Sequence, residues 1–291
     1  MFDLVFIGHM CFDEIIPFRG EQSVAPGSAV LCGAIAAARV GKKVAVITKM
    51  AEKDKGILDP MIQLGVTTFL VPSDETTYMQ VLHPSENVDE RELIQARNAG
   101  YFDVAEIPKF RSAYVHLAGV TDQEFTLEFV GAMKRAGHTL TVDIQSFVRQ
   151  VDPSTGRIAF RDVPSKREIF RHCSMIKSDI VEAEILTGAP DMEKAATILE
   201  SWGSEETLVT SAAGVLVRAK HATYFEKLTN RTNLGRTGRG DTAIAGYLAW
   251  RMDHDISASL KFASAIVSLK VEKPGPFSGT LDDVLRKVEQ S

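Results

Sequence analysis

Residues 235–241, GRTGRGD, place three glycines and two arginines directly around and before an aspartate. Glycines accept positive φ and let main chain approach a ligand closely. The spacing of Ile244, Tyr247, Leu248 and Met252 predicts a helix that begins near Gly240 or Asp241. A helix N-terminus offers unpaired N–H groups and partial positive charge, and a glycine-rich turn leading into one cradles phosphates. Arg236 and Arg239 add charge of the same sign. This pattern suits phosphoryl transfer: the N–H groups hold the moving phosphoryl group while Asp241 takes a proton from the attacking hydroxyl. The same residues also read as an ordinary helix start with Asp241 as its N-cap. No Lys-Ser or Lys-Thr follows, so the turn is not a Walker A loop.

Elements that could position such a turn recur along the chain. Short apolar runs at 4–8, 43–50, 67–72, 113–119, 139–145, 174–179 and 206–214 read as buried strands. Between them, 28–41, 56–65, 126–137 and 192–203 have helical period. Alternation of this kind predicts a mostly parallel sheet covered on both faces. Residues 11–25 and 73–100 break the rhythm; TTYMQVLHP and ERELIQAR in the second alternate in the manner of strands. They read as a small antiparallel patch or as two surface loops, and 28 structureless residues would be unusual inside a compact domain.

Composition narrows the function. The chain has 291 residues, 45% hydrophobic, enough for one large domain with a small appendage. Its net charge of -5 gives no basic surplus for nucleic acid. The cysteines, Cys11, Cys32 and Cys173, are few and far apart, which excludes a disulfide scaffold and fits a reducing cytoplasm. The first residues have no basic segment of a signal peptide, and no apolar run approaches the ~20 residues of a membrane span. A cytoplasmic protein without membrane or nucleic-acid partners is expected.

The GRTGRGD turn resembles the C-terminal signature of the ribokinase-like (PfkB) carbohydrate kinases, commonly D-T-x-G-A-G-D. Thr237, Gly238, Gly240 and Asp241 fit it; Arg239 stands where alanine is usual, and Gly235 where the first Asp is usual. The glycine-arginine form is similar to an inositol-kinase-like subgroup. PGSAVLCGAIAAARVG (26–41) resembles the N-terminal signature, with Ser28 for its second glycine and Cys32 for its asparagine. GHMCFDEI (8–15), VDIQSFVR (142–149), IKSDIVEAEILTG (176–188), LVTSAAGVLV (208–217) and KVEKPGPF (270–277) resemble further family segments in the family's order.

The resemblance implies a three-layer α/β/α fold, a doubly wound, mostly parallel sheet with a small β-strand lid. The main domain would take 1–10, 26–72 and 101–291, and the lid 11–25 and 73–100. It implies an ATP-dependent kinase that phosphorylates a small sugar or cyclic polyol such as myo-inositol. Asp241 would be the catalytic base, and Gly238, Arg239 and Gly240 the anion hole. Asp13, Gly27, Ser28, Gln145 and Arg149 would hold the acceptor. Lys177, Asp179, Thr210, Gly214, Arg236 and Thr237 would hold ATP; Glu182 through water, with Asp179, would serve Mg²⁺. The family also admits a homodimer through the lid. The rival readings are a nucleoside kinase and a non-catalytic sugar- or nucleotide-binding regulator on the same fold. Each residue also has a plainer reading: Asp13 as a turn cap, Glu182 on an exposed helix face, Arg149 at the surface, Cys32 as packing, and His9 as a structural hydrogen-bonding group.

Overall fold

The apolar runs become strands. A computed structural model of the protein describes residues 1–86 and 92–290. Within the 73–100 lid segment, 87–91 therefore lie outside the described residues. In chain order the strands are β1 (Phe2–Ile7), β2 (Cys11–Ile16), β3 (Ser23–Gly27), β4 (Val44–Met50), β5 (Thr67–Pro72), β6 (Thr77–Leu82), β7 (Glu92–Arg97) and β8 (Ser112–Leu117). They continue as β9 (Leu140–Asp143), β10 (Arg149–Val151), β11 (Ile158–Phe160), β12 (Met175–Asp179), β13 (Glu206–Thr210), β14 (Gly214–Ala219) and β15 (Ala222–Lys227). The helices are α1 (Ala29–Arg39), α2 (Asp59–Ile62), α3 (Leu127–Arg135), α4 (Gln145–Val148), α5 (Lys166–His172), α6 (Ile180–Thr187), α7 (Met192–Glu200), α8 (Arg239–Arg251), α9 (Ile256–Val271) and α10 (Leu281–Glu289).

Among the described residues the large sheet has the order β15-β14-β13-β12-β9-β8-β1-β4-β5. All neighbours from β13 to β5 are parallel, and β13-β14-β15 turn back antiparallel at one edge. The period of two along β1 sends Leu4 and Phe6 to one core and Val5 and Ile7 to the other. The first core is completed by α1, α8, α9 and α10, the second by α3, α5, α6 and α7. This is the expected three-layer α/β/α arrangement.

One predicted helix is mostly something else. Residues 56–65 hold the end of a 3₁₀ segment (Glu52–Leu58) and then only the four-residue α2. Pro60 suits the start of a helix, and Gly65 at φ 79° terminates the turn.

A second sheet, ordered β3-β2-β6-β7, is built from the two segments that broke the helical rhythm. Its central pair, β2 and β6, is parallel, so the patch is mixed rather than purely antiparallel. β3 runs to Gly27, which puts Pro26 and Gly27 in this sheet and not in the large one. Among the described residues no helix is long and apolar enough to cross a membrane.

Charged and polar groups inside the large sheet make its stability pH-dependent. His116 on β8 is buried, with Nδ1 2.8 Å from Thr141 Oγ1 and its ring edge-on to Phe6. Burial, and then the Lys177 charge, lower its pKa from 6.5 to about 3. The folded ring thus stays neutral while the unfolded one titrates. Stability from this residue is present above pH 6.5 and is lost as pH falls towards 3. His116→Asn is expected to flatten that acid limb: urea midpoints measured at pH 7 and pH 4 should differ less than in the unsubstituted protein.

Candidate active site

The chain runs outward from β1 to β4 and β5, then returns to β8 on the other side of β1. Ligands of such sheets bind beyond the strand C-termini at this reversal. Gathered around that edge are Asp143 at the end of β9, Lys177 in the middle of β12 and Asp179 at its end, Thr210 at the end of β13, and the turn into α8.

The turn settles one of the two readings of Asp241. α8 begins at Arg239, and its N-cap is Gly238, at φ 80° and without a side-chain cap. Asp241 is the third helical residue, so it is not the cap. Two close approaches require the glycines. A Cβ on Gly238 would stand 2.6 Å from Cys32 Sγ, and one on Gly240 would stand 2.7 Å from Lys177 Nζ. Cys32 is accordingly packing beneath the turn, its thiol pushed up by burial. Lys177 places its ammonium against the first turn of α8.

Lys177 is 3% exposed and donates to Asp143 Oδ2 at 2.8 Å. Burial opposes its charge, but Asp143, Glu182, Asp241 and Asp179 together hold the ammonium above its ordinary pKa. Asp241 is raised by burial against the pull of Lys177, Arg149 and Lys270. Asp13 is raised by burial and also by Asp241, while its Cys11 hydrogen bond and Arg149 oppose the shift. The two aspartates therefore share one electrostatic site, although Asp13 comes from a strand of the small sheet and Asp241 from the first turn of α8.

Asp13 is no turn cap. It lies within β2, opposite Ala25 of β3 and Met79 of β6. Its carboxylate occupies the space a side chain at Gly27 would need, which explains that glycine. Cys11 Sγ donates to Asp13 Oδ1 at 3.6 Å and to Gly27 O at 3.3 Å. Ser28 caps α1, accepting from Leu31 N at 3.1 Å, and donates to Met10 Sδ at 3.3 Å. Its φ of 147° is a conformation that favours glycine, which accounts for the glycine expected there.

Glu182 is buried, not on an exposed face. It and Asp179 form a reciprocal capping box on α6: Asp179 N donates to Glu182 Oε2 at 2.9 Å, and Glu182 N to Asp179 Oδ1 at 2.9 Å. Arg149 Nη2 lies 3.4 Å from Glu182 Oε1, and its side chain is only 18% exposed, so it is not a surface arginine. Burial, then the Asp179 charge, raises Glu182 to about 7.

Other expected site residues serve the fold visibly. Gln145 is buried and its amide nitrogen donates to Gly119 O at 2.8 Å. Gly214 is needed by packing, since a Cβ there would lie 2.6 Å from the Phe225 ring. Thr210 is buried with Oγ1 facing the Gly240 turn. Arg236 and Thr237 are exposed on the turn. His9 bridges the sheets: Nε2 is 2.9 Å from Gly100 O and Nδ1 2.8 Å from Thr77 Oγ1. The Gly100 carbonyl can only accept, so Nε2 carries the proton.

Two residues escaped the sequence reading. Asp143 sits in the quoted VDIQSFVR segment but was passed over for Gln145 and Arg149. Lys270 opens the quoted KVEKPGPF segment; it lies near the end of α9, 2% exposed, and donates to Gly235 O at 2.5 Å and to Thr237 O. Its signal was a lysine inside the apolar run ASAIVSLKV.

The family model described as pfkB family carbohydrate kinase matches residues 1–282. The chain is 29% identical over 257 residues to a cytidine kinase of Thermococcus kodakarensis, spanning 86% of this chain and 88% of that protein. A sulfate complex of a pyrophosphate-dependent kinase of the ribokinase family superposes with a TM-score of 0.90 at 29% identity, covering 97% of this chain and 99% of the other. A pyrophosphate-dependent myo-inositol-1 kinase, converted by two substitutions into a myo-inositol-3 kinase, superposes with a TM-score of 0.88 at 29% identity, covering 99% and 98%.

The turn geometry generates a stability test. Gly238→Ala meets both a left-handed backbone and the Cys32 thiol, and is expected to cost roughly 1–3 kcal/mol. Adding Cys32→Ala should return only the steric part. Urea unfolding of the single and double variants measures the two contributions; full recovery in the double variant would mean that the backbone conformation costs nothing.

Proposed function

The chain belongs to the pfkB family of carbohydrate kinases, phosphotransferases that act on an alcohol group, and from that premise we propose that it phosphorylates a cyclic polyol of the inositol class with Asp241 as general base. The observation that carries this reading is that Asp13 lies near enough to Asp241 to feel its charge, with Arg149 acting on both carboxylates and Lys177 on Asp241. Asp13 reaches in from the small sheet to hold acceptor hydroxyls beside Gly27. Burial raises the Asp241 carboxyl and makes it a stronger base than a free aspartate. The main-chain N–H groups of Gly238, Gly240 and Asp241, with Lys177 against Gly240, receive the charge of the transferring group, whereas Arg239 N donates within the turn to Arg236 O at 3.2 Å and leaves only its side chain for the anion hole. Positioning and electrostatics supply most of the catalysis in phosphoryl transfer.

In the first reading of the donor, ATP lies along Lys177, Asp179, Thr210, Gly214, Arg236 and Thr237. A direct Mg²⁺ ligand set does not fit: among the described residues no three metal-ligating side chains are arranged to hold a metal ion, the carboxylates nearby lie around the Lys177 ammonium instead, and Glu182 and Asp179 cap one another. Mg²⁺ enters this reading only as a companion of the donor's phosphates, and no step is assigned to it. Pyrophosphate is the second reading. Arg236 and Arg239 on one turn favour a small, highly charged donor, and Gly214 is covered by Phe225 rather than open to a ligand. The similarity to pyrophosphate-dependent kinases supports it as well. For the acceptor, the similarity to a cytidine kinase keeps a nucleoside as the alternative. Cytoplasmic residence and pairing of two copies through the small sheet belong to the same proposal; cell fractionation and light scattering measure them.

Purified protein should be offered ATP or pyrophosphate with myo-inositol, ribose, fructose or cytidine, and the phosphate ester followed by phosphorus NMR. Product from a polyol is expected; product from cytidine alone would establish the nucleoside reading, and no product from any pair would favour a binding protein. Asp241→Asn should lower kcat by about 10²–10⁴ with donor binding little changed. Turnover near that of the parent protein would remove Asp241 from the role of base. Arg239→Ala should raise the KM for the true donor, and an unchanged KM would mean that its guanidinium points away from the phosphates.

A further inference from the structure

Lys270 has an environment that differs from that of the other buried lysine. Lys177 is surrounded by carboxylates, whereas Lys270 has no carboxylate within ion-pair distance among the described residues. Its ammonium is held by main-chain carbonyls, Gly235 O and Thr237 O, from the turn that opens α8. The stem passes under Gly238, where a Cβ would stand 3.6 Å from Lys270 Cε. The neighbouring residue adds a second tie, Gly235 N donating to Val271 O at 2.8 Å. The end of α9 thus fastens both ends of the segment 235–237.

Carbonyl oxygens converging on a buried cation are the chemistry by which proteins replace the hydration shell of potassium. Here the cation is covalently attached. A carbonyl turned inward to the ammonium turns the N–H of the same peptide unit the other way, because the unit is planar. The Thr237 carbonyl is joined to the Gly238 N–H, the first donor of the proposed anion hole.

We propose that Lys270 is a tethered monovalent cation that positions the anion-binding turn, so that this protein needs no free potassium or ammonium ion there. Lys270 is a positioning residue and touches neither donor nor acceptor. The inference rests on the phosphoryl-transfer reading for its catalytic consequence, but its structural content is independent of it.

The test compares thermal melting and turnover in KCl, NH₄Cl and tetramethylammonium chloride at equal ionic strength, for the parent protein and for Lys270→Met. The parent should melt at the same temperature in all three salts. Lys270→Met should melt lower in tetramethylammonium and recover saturably with K⁺ or NH₄⁺. With a confirmed donor and acceptor, its kcat should fall about 10²-fold in tetramethylammonium, the scale of a displaced catalytic geometry, and rise at least about 10-fold with the small cations, the smallest gain that would restore part of that geometry. Lys270→Gln serves equally if the Met variant does not fold. Saturable stabilisation of the parent by K⁺ overturns the proposal, as does a folded neutral variant that no small cation rescues. Failure of both neutral variants to fold in every salt overturns it too, by making Lys270 a general core residue. If no kinase activity is found, the melting comparison still decides this inference, and the absent activity counts against the proposed function alone.

Discussion

Lys177, in the middle of β12, carries its charge among the carboxylates of Asp143, Glu182, Asp241 and Asp179. A buried ammonium is costly unless paired, and a cluster of buried carboxylates is costly without a cation. Each side of this arrangement therefore needs the other, and removing one partner of such a pair typically costs about 3–5 kcal/mol. β9 ends at Asp143, Asp179 caps α6, and α8 approaches so closely that a Cβ on Gly240 would stand 2.7 Å from Lys177 Nζ. The charge arrangement fixes where three layers of structure meet.

The sheet supplies that meeting point. Strand order reverses around β1, and the helices of one face, α1, α8 and α9, pack around the glycine turn that opens α8. Cys32 of α1 and Lys270 of α9 both press on the turn, one through a buried thiol and the other through its ammonium. Glycines at 238 and 240 are thus demanded from below and from the side at once.

Much of this was legible in residue order. Continuous apolar runs announced parallel strands because both faces of those strands are covered, and GRTGRGD announced a helix start because glycine and charge mark one locally. The short α2 was misread because a 3₁₀ segment has nearly the same apolar spacing as an α-helix. Capping roles of Asp179 and Ser28 were hidden, since the same side chains suit ligands and caps alike. Lys270 was hidden for a different reason: its partners are main-chain carbonyls 33 and 35 residues away, which leave no mark on side-chain types. The burial of Glu182 likewise depends on Arg149 and Lys177, brought close only by the folded sheet.

The parallel pairing of β2 with β6 has a consequence for the order of folding. Gln80 Nε2 donates to Glu14 Oε2 across that pair, 66 residues apart in the chain. The entropy of closing so long a loop must be spent before the pair's contacts repay it, unless the intervening chain is already compact. That intervening chain contains α1, β4 and β5, which belong to the large sheet and its first helical layer. The central pair of the small sheet therefore closes most readily once α1, β4 and β5 have packed together. Asp13, on β2 of that pair, then takes its place beside Gly27 only after α1, β4 and β5 have packed.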